Sequence, residues 1–280
     1  MTSNKYENDK KQPINIDFKL PPPTPKLYSA TDSPVKTCMK INFIFWIAVI
    51  SCVLTISYYT TGHSWNSYLS GIFSYIFIAF WGYFVHYISH SMNLTKSYQN
   101  STFPLFTFLH KIPIVNTIIE TILTYSIDFH ANIHHDTSIN KQPSHIIVEA
   151  IQNFLTEGGL LIMANNYFMP IFMFRKASLR LTVNNTVIML WALFYATVHN
   201  INYNITHPLE HKNHHLDDKT NYGIDIIDII LDTKYNTTNT PSHTNKDGPP
   251  PITMEDNNHT AINIFLITIF LIWPYLPDDE

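Results

Sequence analysis

Residues 41–60 read INFIFWIAVISCVLTISYYT and residues 67–85 read SYLSGIFSYIFIAFWGYFV, with Gly62, His63, Ser64 and Asn66 between them. No Asp, Glu, Lys or Arg occurs from Ile41 to Thr95, a run of 55 residues. A helix that crosses the hydrocarbon layer needs about 20 predominantly apolar residues. The stretch therefore predicts two spanning helices joined by a short polar turn, and it sets the class of the whole chain.

The rest of the sequence follows the same pattern. Hydrophobic residues make up 45% of the 280 and charged residues only 14%, against about a quarter in soluble domains. Residues 146–174 form a third apolar region, uncharged from Gly158 to Phe174, and residues 181–198 form a fourth. Residues 103–127 are interrupted by Pro104, Pro113 and Glu120, which predicts a re-entrant or interfacial pair of short helices. Residues 261–276 are apolar but short, able to lie on the membrane or just span it. Glu157-Gly158-Gly159 reads as a helix break. The expected fold is an all-α integral membrane bundle of about four spans in two hairpins, with a histidine-rich cap.

Residues 1–40 carry seven lysines and the run Pro21-Pro22-Pro23-Thr24-Pro25, so a disordered tail is expected. The first apolar run begins too late for a cleavable signal peptide. Residues 41–235 form the membrane domain, 236–260 a polar linker and 261–280 a C-terminal apolar segment. A Lys-rich tail in the cytoplasm, followed by paired spans, returns every histidine cluster to the cytoplasmic side. Arg175, Lys176 and Arg180 fall in the predicted far-side loop, against the positive-inside tendency. The net charge of −4 and the lack of a basic stripe exclude a nucleic-acid partner. Cys38 and Cys52 are the only cysteines, which argues against a disulfide framework or a thiolate metal site.

Fifteen histidines are the chemical anomaly. His86 and His90 stand four apart, as do His130 and His134, with His135 adjoining. Positions four apart share a helix face, so both rings can reach one metal. His211, His214 and His215 form a third group, preceded by His199 and His207. Strongly polar side chains at a membrane boundary are functional candidates, and neutral imidazole binds iron, zinc, copper and nickel. Eight clustered histidines exceed the needs of one ion, and two ions are the simplest fit. Asp128, Asp136, Asp217 and Asp218 flank the clusters and are candidates to orient ring N–H groups. His63, His145, His243 and His259 read as loop or surface residues. His110 reads as an interfacial residue or an auxiliary ligand. A zincin needs Glu directly after its first His, where this chain has Tyr87, Ala131 or Lys212. The Glu-x-x-His pairs of carboxylate di-iron bundles are also missing from the sequence.

These clusters, in this order between apolar hairpins, resemble the fatty acid hydroxylase and sterol desaturase superfamily over about residues 67–235. Tyr83-Phe84-Val85-His86 through His90 resembles its first histidine box, and Phe129-His130 through His134-His135 the second. His211–His215 followed by Asn221-Tyr222-Gly223 resembles the third. The family's later Asp and Thr are kept as Asp228 and Thr233, while its Trp, Phe and Gly are not. The second box has three residues between its first two histidines where two are usual, and His199 and His207 lie eight apart. The resemblance implies two iron ions, O2 as co-substrate, a membrane lipid as substrate, and cytochrome b5 with its reductase as a separate electron donor. It implies an endoplasmic-reticulum-type membrane, and it adds Asn221 and Asp228 to the residues expected behind the ligands. The activity implied is hydroxylation or oxidation of a lipid C–H bond, with lipid desaturation as the alternative. From the residues alone, an inactive lipid-binding protein and a metal transporter stay open, although a transporter would place its ligands nearer the bilayer midplane.

Overall fold

The computed structural model describes residues 33–135, 143–167, 183–201, 209–235 and 254–277. The tail up to residue 32, Asp136, the basic trio Arg175, Lys176 and Arg180, His207, His243 and residues 236–253 lie outside the described residues. Every regular element among the described residues is helical.

Helix α1 (Pro34–Ile41) leads into α2 (Phe43–Thr61), and α3 (Trp65–Ser91) follows a short turn. Gly62 takes a φ of 97°, and Ser64 caps α3 by accepting from Ser67 N at 3.2 Å. These are the residues a tight return requires. The two helices approach closely, since a Cβ on Gly71 would stand 2.0 Å from Ser57 Oγ. Small residues at such contacts replace the hydrophobic drive that lipid removes. At 27 residues, α3 is about 40 Å long and exceeds a hydrocarbon core of about 30 Å. Its last turns carry His86 and His90.

Helix α4 (Leu94–Gln99) precedes α5 (Pro104–His110) and α6 (Pro113–Ile122). The α5–α6 pair is bent by 110°, because each proline starts a new helix and lacks the N–H that would continue the old one. Two π-helical turns follow at Leu123–Ile127 and His130–His134. Helix α7 (Pro143–Phe154) runs through a third π-helical turn (Leu155–Gly159) into α8 (Leu160–Tyr167). The expected break at Glu157-Gly158-Gly159 is thus a kink inside a continuing helix. Gly158 is needed there because a Cβ would meet Ala192 Cβ at 2.9 Å.

Helix α9 (Asn185–Ile201) is the centre of the bundle, with Val187, Ile188, Leu190, Trp191 and Ala192 all buried. Two short helices follow, α10 (Leu209–Leu216) and α11 (Asp225–Ile230), and the last is α12 (Ala261–Ile272). Four helical stretches are long and apolar enough to cross a membrane: Phe43–Thr61, Trp65–Ser91, Ser144–Asn166 and Asn258–Tyr275. They point to a membrane protein. The fourth of these is the C-terminal segment, not the 181–198 stretch, whose helix is shorter and enclosed by neighbours. Ile262, Leu266 and Phe270 on α12 are exposed, as lipid-facing residues are. The starts of α2 and α12 are stitched together. Asn42 Nδ2 donates to Glu255 O at 2.9 Å, and Asn257 N donates to Asn42 Oδ1 at 2.7 Å. Nearby, the buried Lys234–Asp225 ion pair at 2.6 Å, with Asp225 also accepting from Glu255 N, anchors the C-terminal segment to α11.

Candidate metal centre

The three histidine boxes converge. His86 and His90 come from the end of α3, His130, His134 and His135 from the π-helical turn, and His211, His214 and His215 from α10. One ligand atom from each of His86, His90, His130, His135 and His214 falls within 4.8 Å of the other four, and His134, His135 and His215 form a second such group. Within the first group, His86 Nε2 lies 2.9 Å from His130 Nε2 and 3.0 Å from His214 Nε2, which is itself 3.0 Å from His90 Nε2. Beside the second, His211 Nε2 lies 3.2 Å from His134 Nε2 and 2.9 Å from His215 Nε2. Metal–imidazole bonds of about 2.1 Å put neighbouring ligand nitrogens about 3.0 Å apart at right angles and about 3.4 Å apart in a tetrahedron. The observed spacings are those of ligands around an ion.

The protonation pattern supports this reading. His86 Nδ1 donates to Tyr222 O at 2.7 Å and His214 Nδ1 donates to Thr220 O at 2.6 Å. A carbonyl oxygen only accepts, so each Nδ1 carries the proton and each neutral ring presents a lone pair at Nε2. Those two lone pairs face each other at 3.0 Å, an arrangement that a cation between them relieves. Burial, and then the neighbouring imidazoles, hold His130 and His135 well below the usual histidine range, and burial first among causes brings His214 down to about 3. Neutral imidazole is the form that binds metal. The buried histidine cluster can therefore hold a metal ion.

Each box divides between the two groups according to its local geometry. His86 and His90, on successive turns of α3, both enter the first group. On α10, His215 enters the second and His211, on the same face, adjoins it, while His214 turns to the first. The second box is a π-helical turn closed by His135 N donating to His130 O at 3.1 Å. Such a turn holds one residue more than an α turn. His130 and His135 consequently serve the first group, and His134 serves the second. His135 adjoins both, with its ring stacked 4.1 Å from that of His215.

The residues expected behind the ligands act mainly on backbone. Asp128 accepts from Leu94 N, Thr95 N and Thr95 Oγ1, tying α4 to the turn that precedes His130. Asp228 accepts from Tyr222 N, Gly223 N and Thr233 Oγ1. Asn221 takes a φ of 53°, donates to Glu210 O and accepts from Tyr235 N. Together they fix the loop whose Tyr222 carbonyl orients His86. Asp217 accepts from Lys219 N, and Asp218 is exposed. The side chain of His199, at the end of α9, lies outside the described residues, as do Asp136 and His207. His110 packs on Tyr98 at 4.5 Å and belongs to neither group. His63 and His259 are exposed, and His145 is half-buried on α7.

Sequence reasoning missed Glu149. Its Oε1 lies 3.0 Å from His134 Nδ1, with both side chains almost fully enclosed, the relation that orients a metal-binding imidazole. Its signal was available, as one of two carboxylates within an apolar stretch, eight residues before Glu157. Beside the first group opens a cleft of about 500 Å³ whose wall includes Val85, His86, Ile88, His130, Val148 and Ile151. No protein-family model matches the chain, and no curated protein or solved structure matches it either.

Proposed function

We propose that the chain is a membrane oxidoreductase that holds two iron ions on its histidines and uses O2 to hydroxylate a C–H bond of a membrane lipid. The observation that carries this reading is the meeting of Nε2 atoms from three distant stretches in two adjoining groups. Imidazole alone does not select iron. The order of the boxes and the Asn-Tyr-Gly sequel, similar to those of the fatty acid hydroxylase and sterol desaturase superfamily, favour it.

Bound iron would supply oxygen activation and removal of hydrogen from an unactivated carbon. The chain supplies position and environment. The Tyr222 and Thr220 carbonyls hold His86 and His214 in the tautomer that exposes Nε2, and Glu149 faces His134 to the same end. The cleft takes the hydrocarbon of the lipid and places a methylene beside His86 and His130, while Val85, Ile88 and Ile151 exclude water. Electrons come from a separate donor such as cytochrome b5 with its reductase. We assign α2–α3 and α7–α9 to two hairpins, the second closed by the shorter, enclosed helix α9, with the histidine cap on the cytoplasmic face of an endoplasmic-reticulum-type membrane. The seven lysines of the tail support that orientation.

The test expresses the parent protein beside a His214→Ala, His215→Ala variant, and measures metal content and cellular lipids by mass spectrometry. The parent is expected to hold about two iron ions per chain and to produce a lipid that has gained one oxygen atom. The variant should lose both. A parent without iron, or a variant with its full metal content, refutes the proposal; a product that has lost two hydrogens without gaining oxygen makes the chain a desaturase.

A further inference from the structure

Among the described residues, His135 alone belongs to both histidine groups. On the side of the first, its Nε2 lies 3.2 Å from His130 Nε2. Its ring meets those of His90 and His214 edge-on, with centroids 4.5 and 4.8 Å away. On the side of the second, it stacks on His215 at 4.1 Å and 22°, and adjoins His134 at 5.5 Å. The residue closes the π-helical turn, where His135 N donates to His130 O, and its side chain is half-buried. The backbone is therefore fixed, while the ring can turn about its side-chain bonds between staggered positions. A neutral imidazole has one lone pair free for bonding, so it binds one ion at a time.

The two groups differ in how much they depend on this ring. Without His135, the first keeps His86, His90, His130 and His214. Four ligands are enough to hold an ion. The second keeps His134 and His215, with His211 adjoining them at 3.2 and 2.9 Å, and is one imidazole short of that number. The eight histidines divide four and four when His135 joins the second group. With one ion present no such division is needed, and the first group can use His135 as a fifth ligand. The neighbours are also held differently. His86 and His214 are oriented by backbone carbonyls, and His134 faces Glu149. Among the described residues, no carbonyl or carboxylate fixes the His135 ring in this way.

We propose that His135 is a ligand shared between the two metal sites, and that the second ion binds by drawing it away from the first. The proposal deepens the two-ion reading and rests on it. The sites then fill in order. At limiting metal the chain holds one ion in the first group, and the second group fills at higher concentration with His135 as its fourth ligand. What the first ion loses to the second is equal to what the second loses to the first, as linkage requires. Metal supply thereby sets whether the two-ion form exists, and His135 is the residue through which one site senses the other.

The experiment titrates Co2+ into the metal-free, full-length protein in nanodiscs and follows visible absorption and bound cobalt. The parent should bind two ions, the second at least about fivefold more weakly than the first. Repulsion between two cations also weakens a second step, so the deciding comparison holds one ion at a time. A His134→Ala, His215→Ala protein retains the first site, and a His86→Ala, His214→Ala protein retains the second. Adding His135→Ala should weaken Co2+ binding at least about tenfold in both backgrounds, no less than the loss of an outer partner brings. A loss confined to one background assigns His135 to one ion and overturns the proposal. The parent alone can also overturn it, without any variant having to fold. Uptake of one ion, or of two in equal and independent steps, would do so. A second ion bound more tightly than the first would mean that the ring bridges both, and would overturn it too. Cobalt binding needs neither O2 nor lipid, which separates the two readings. Coupled steps in a parent whose iron-loaded form oxidises no lipid leave the shared histidine standing and sink the oxidative reading. A lipid-oxidising parent whose ions bind independently does the reverse.

Discussion

Replacing Asp128 with alanine removes a carboxylate that is 2% exposed and accepts from Leu94 N at 3.1 Å, Thr95 N at 2.5 Å and Thr95 Oγ1 at 2.6 Å. The first N–H groups of a helix have no partner within it. In α4, Asn93 accepts from Lys96 N, and Asp128 takes the two donors before it. The Thr95 hydroxyl can rotate to a new partner, but the two backbone donors cannot. An orphaned buried donor costs about 1–3 kcal/mol, so Asp128→Ala should destabilise the fold by about 4 kcal/mol, among the larger effects of single substitutions. Asp128→Asn keeps one acceptor oxygen and should lose about half as much. Because His130, His134 and His135 share the turn that Asp128 ties to α4, both histidine groups should lose metal along with the tie. The assay is denaturant unfolding in mixed micelles, paired with elemental analysis of the folded fraction. An Asp128→Ala protein that unfolds within about 1 kcal/mol of the parent and keeps all its metal would refute this account of how the second box is held.

Glu149→Gln keeps the shape of the side chain beside His134 but removes its charge, and should weaken metal binding about tenfold to a hundredfold. Chelator competition measures this, and an unchanged affinity would mean that the contact orients nothing. Burial is the main cause that pushes Asp228 from 3.8 up to about 6, against the Lys234 charge and the hydrogen bonds from Thr233, Gly223 and Tyr222. The folded state therefore holds this proton more tightly than the unfolded chain. Its contribution to stability is present in full below pH 3.8 and is lost as the pH rises through 6. At about 1.4 kcal/mol per pH unit, the loss is about 3 kcal/mol over that window. Asp228→Asn should flatten the fall in stability between pH 4 and 6 by about this amount, and unfolding titrations with the same slope in both proteins would count against it.

The uncharged run from Ile41 to Thr95 made α2 and α3 legible, because charge exclusion over that length has few causes other than lipid. The prolines at 104 and 113 likewise announced the bent pair. The choice between residues 181–198 and 261–276 as the fourth long span was not legible. Both are apolar stretches of similar length, and only packing reveals that α9 is wrapped by its neighbours while α12 exposes Ile262, Leu266 and Phe270. Asn42 and Asn257, which set α12 beside α2, are separated by most of the chain, and nothing in either local sequence links them. Glu157 was read as part of a break because a carboxylate next to two glycines usually ends a helix. The glycine at 158 instead allows close approach to Ala192, and the carboxylate is held inside.

The positions of the histidines were legible, but their partition was not, and the reason lies in the backbone. The i, i+4 rule assumes an α turn and assigns His130 and His134 to one ion. A π-helical turn brings i and i+5 into register instead, so His130 pairs with His135 and His134 is released to face His211, His215 and Glu149. The third residue between His130 and His134 is therefore accommodated in the turn, and no imidazole of the box is withdrawn from the histidine cluster. The same device recurs at Leu155–Gly159, where a π-helical turn within a long apolar helix carries Glu157. Such turns sacrifice regular hydrogen-bond geometry and persist mainly at functional sites. All three such turns here carry residues that line the same cleft, so the irregular backbone and the polar side chains that break the hydrophobic pattern are parts of one arrangement.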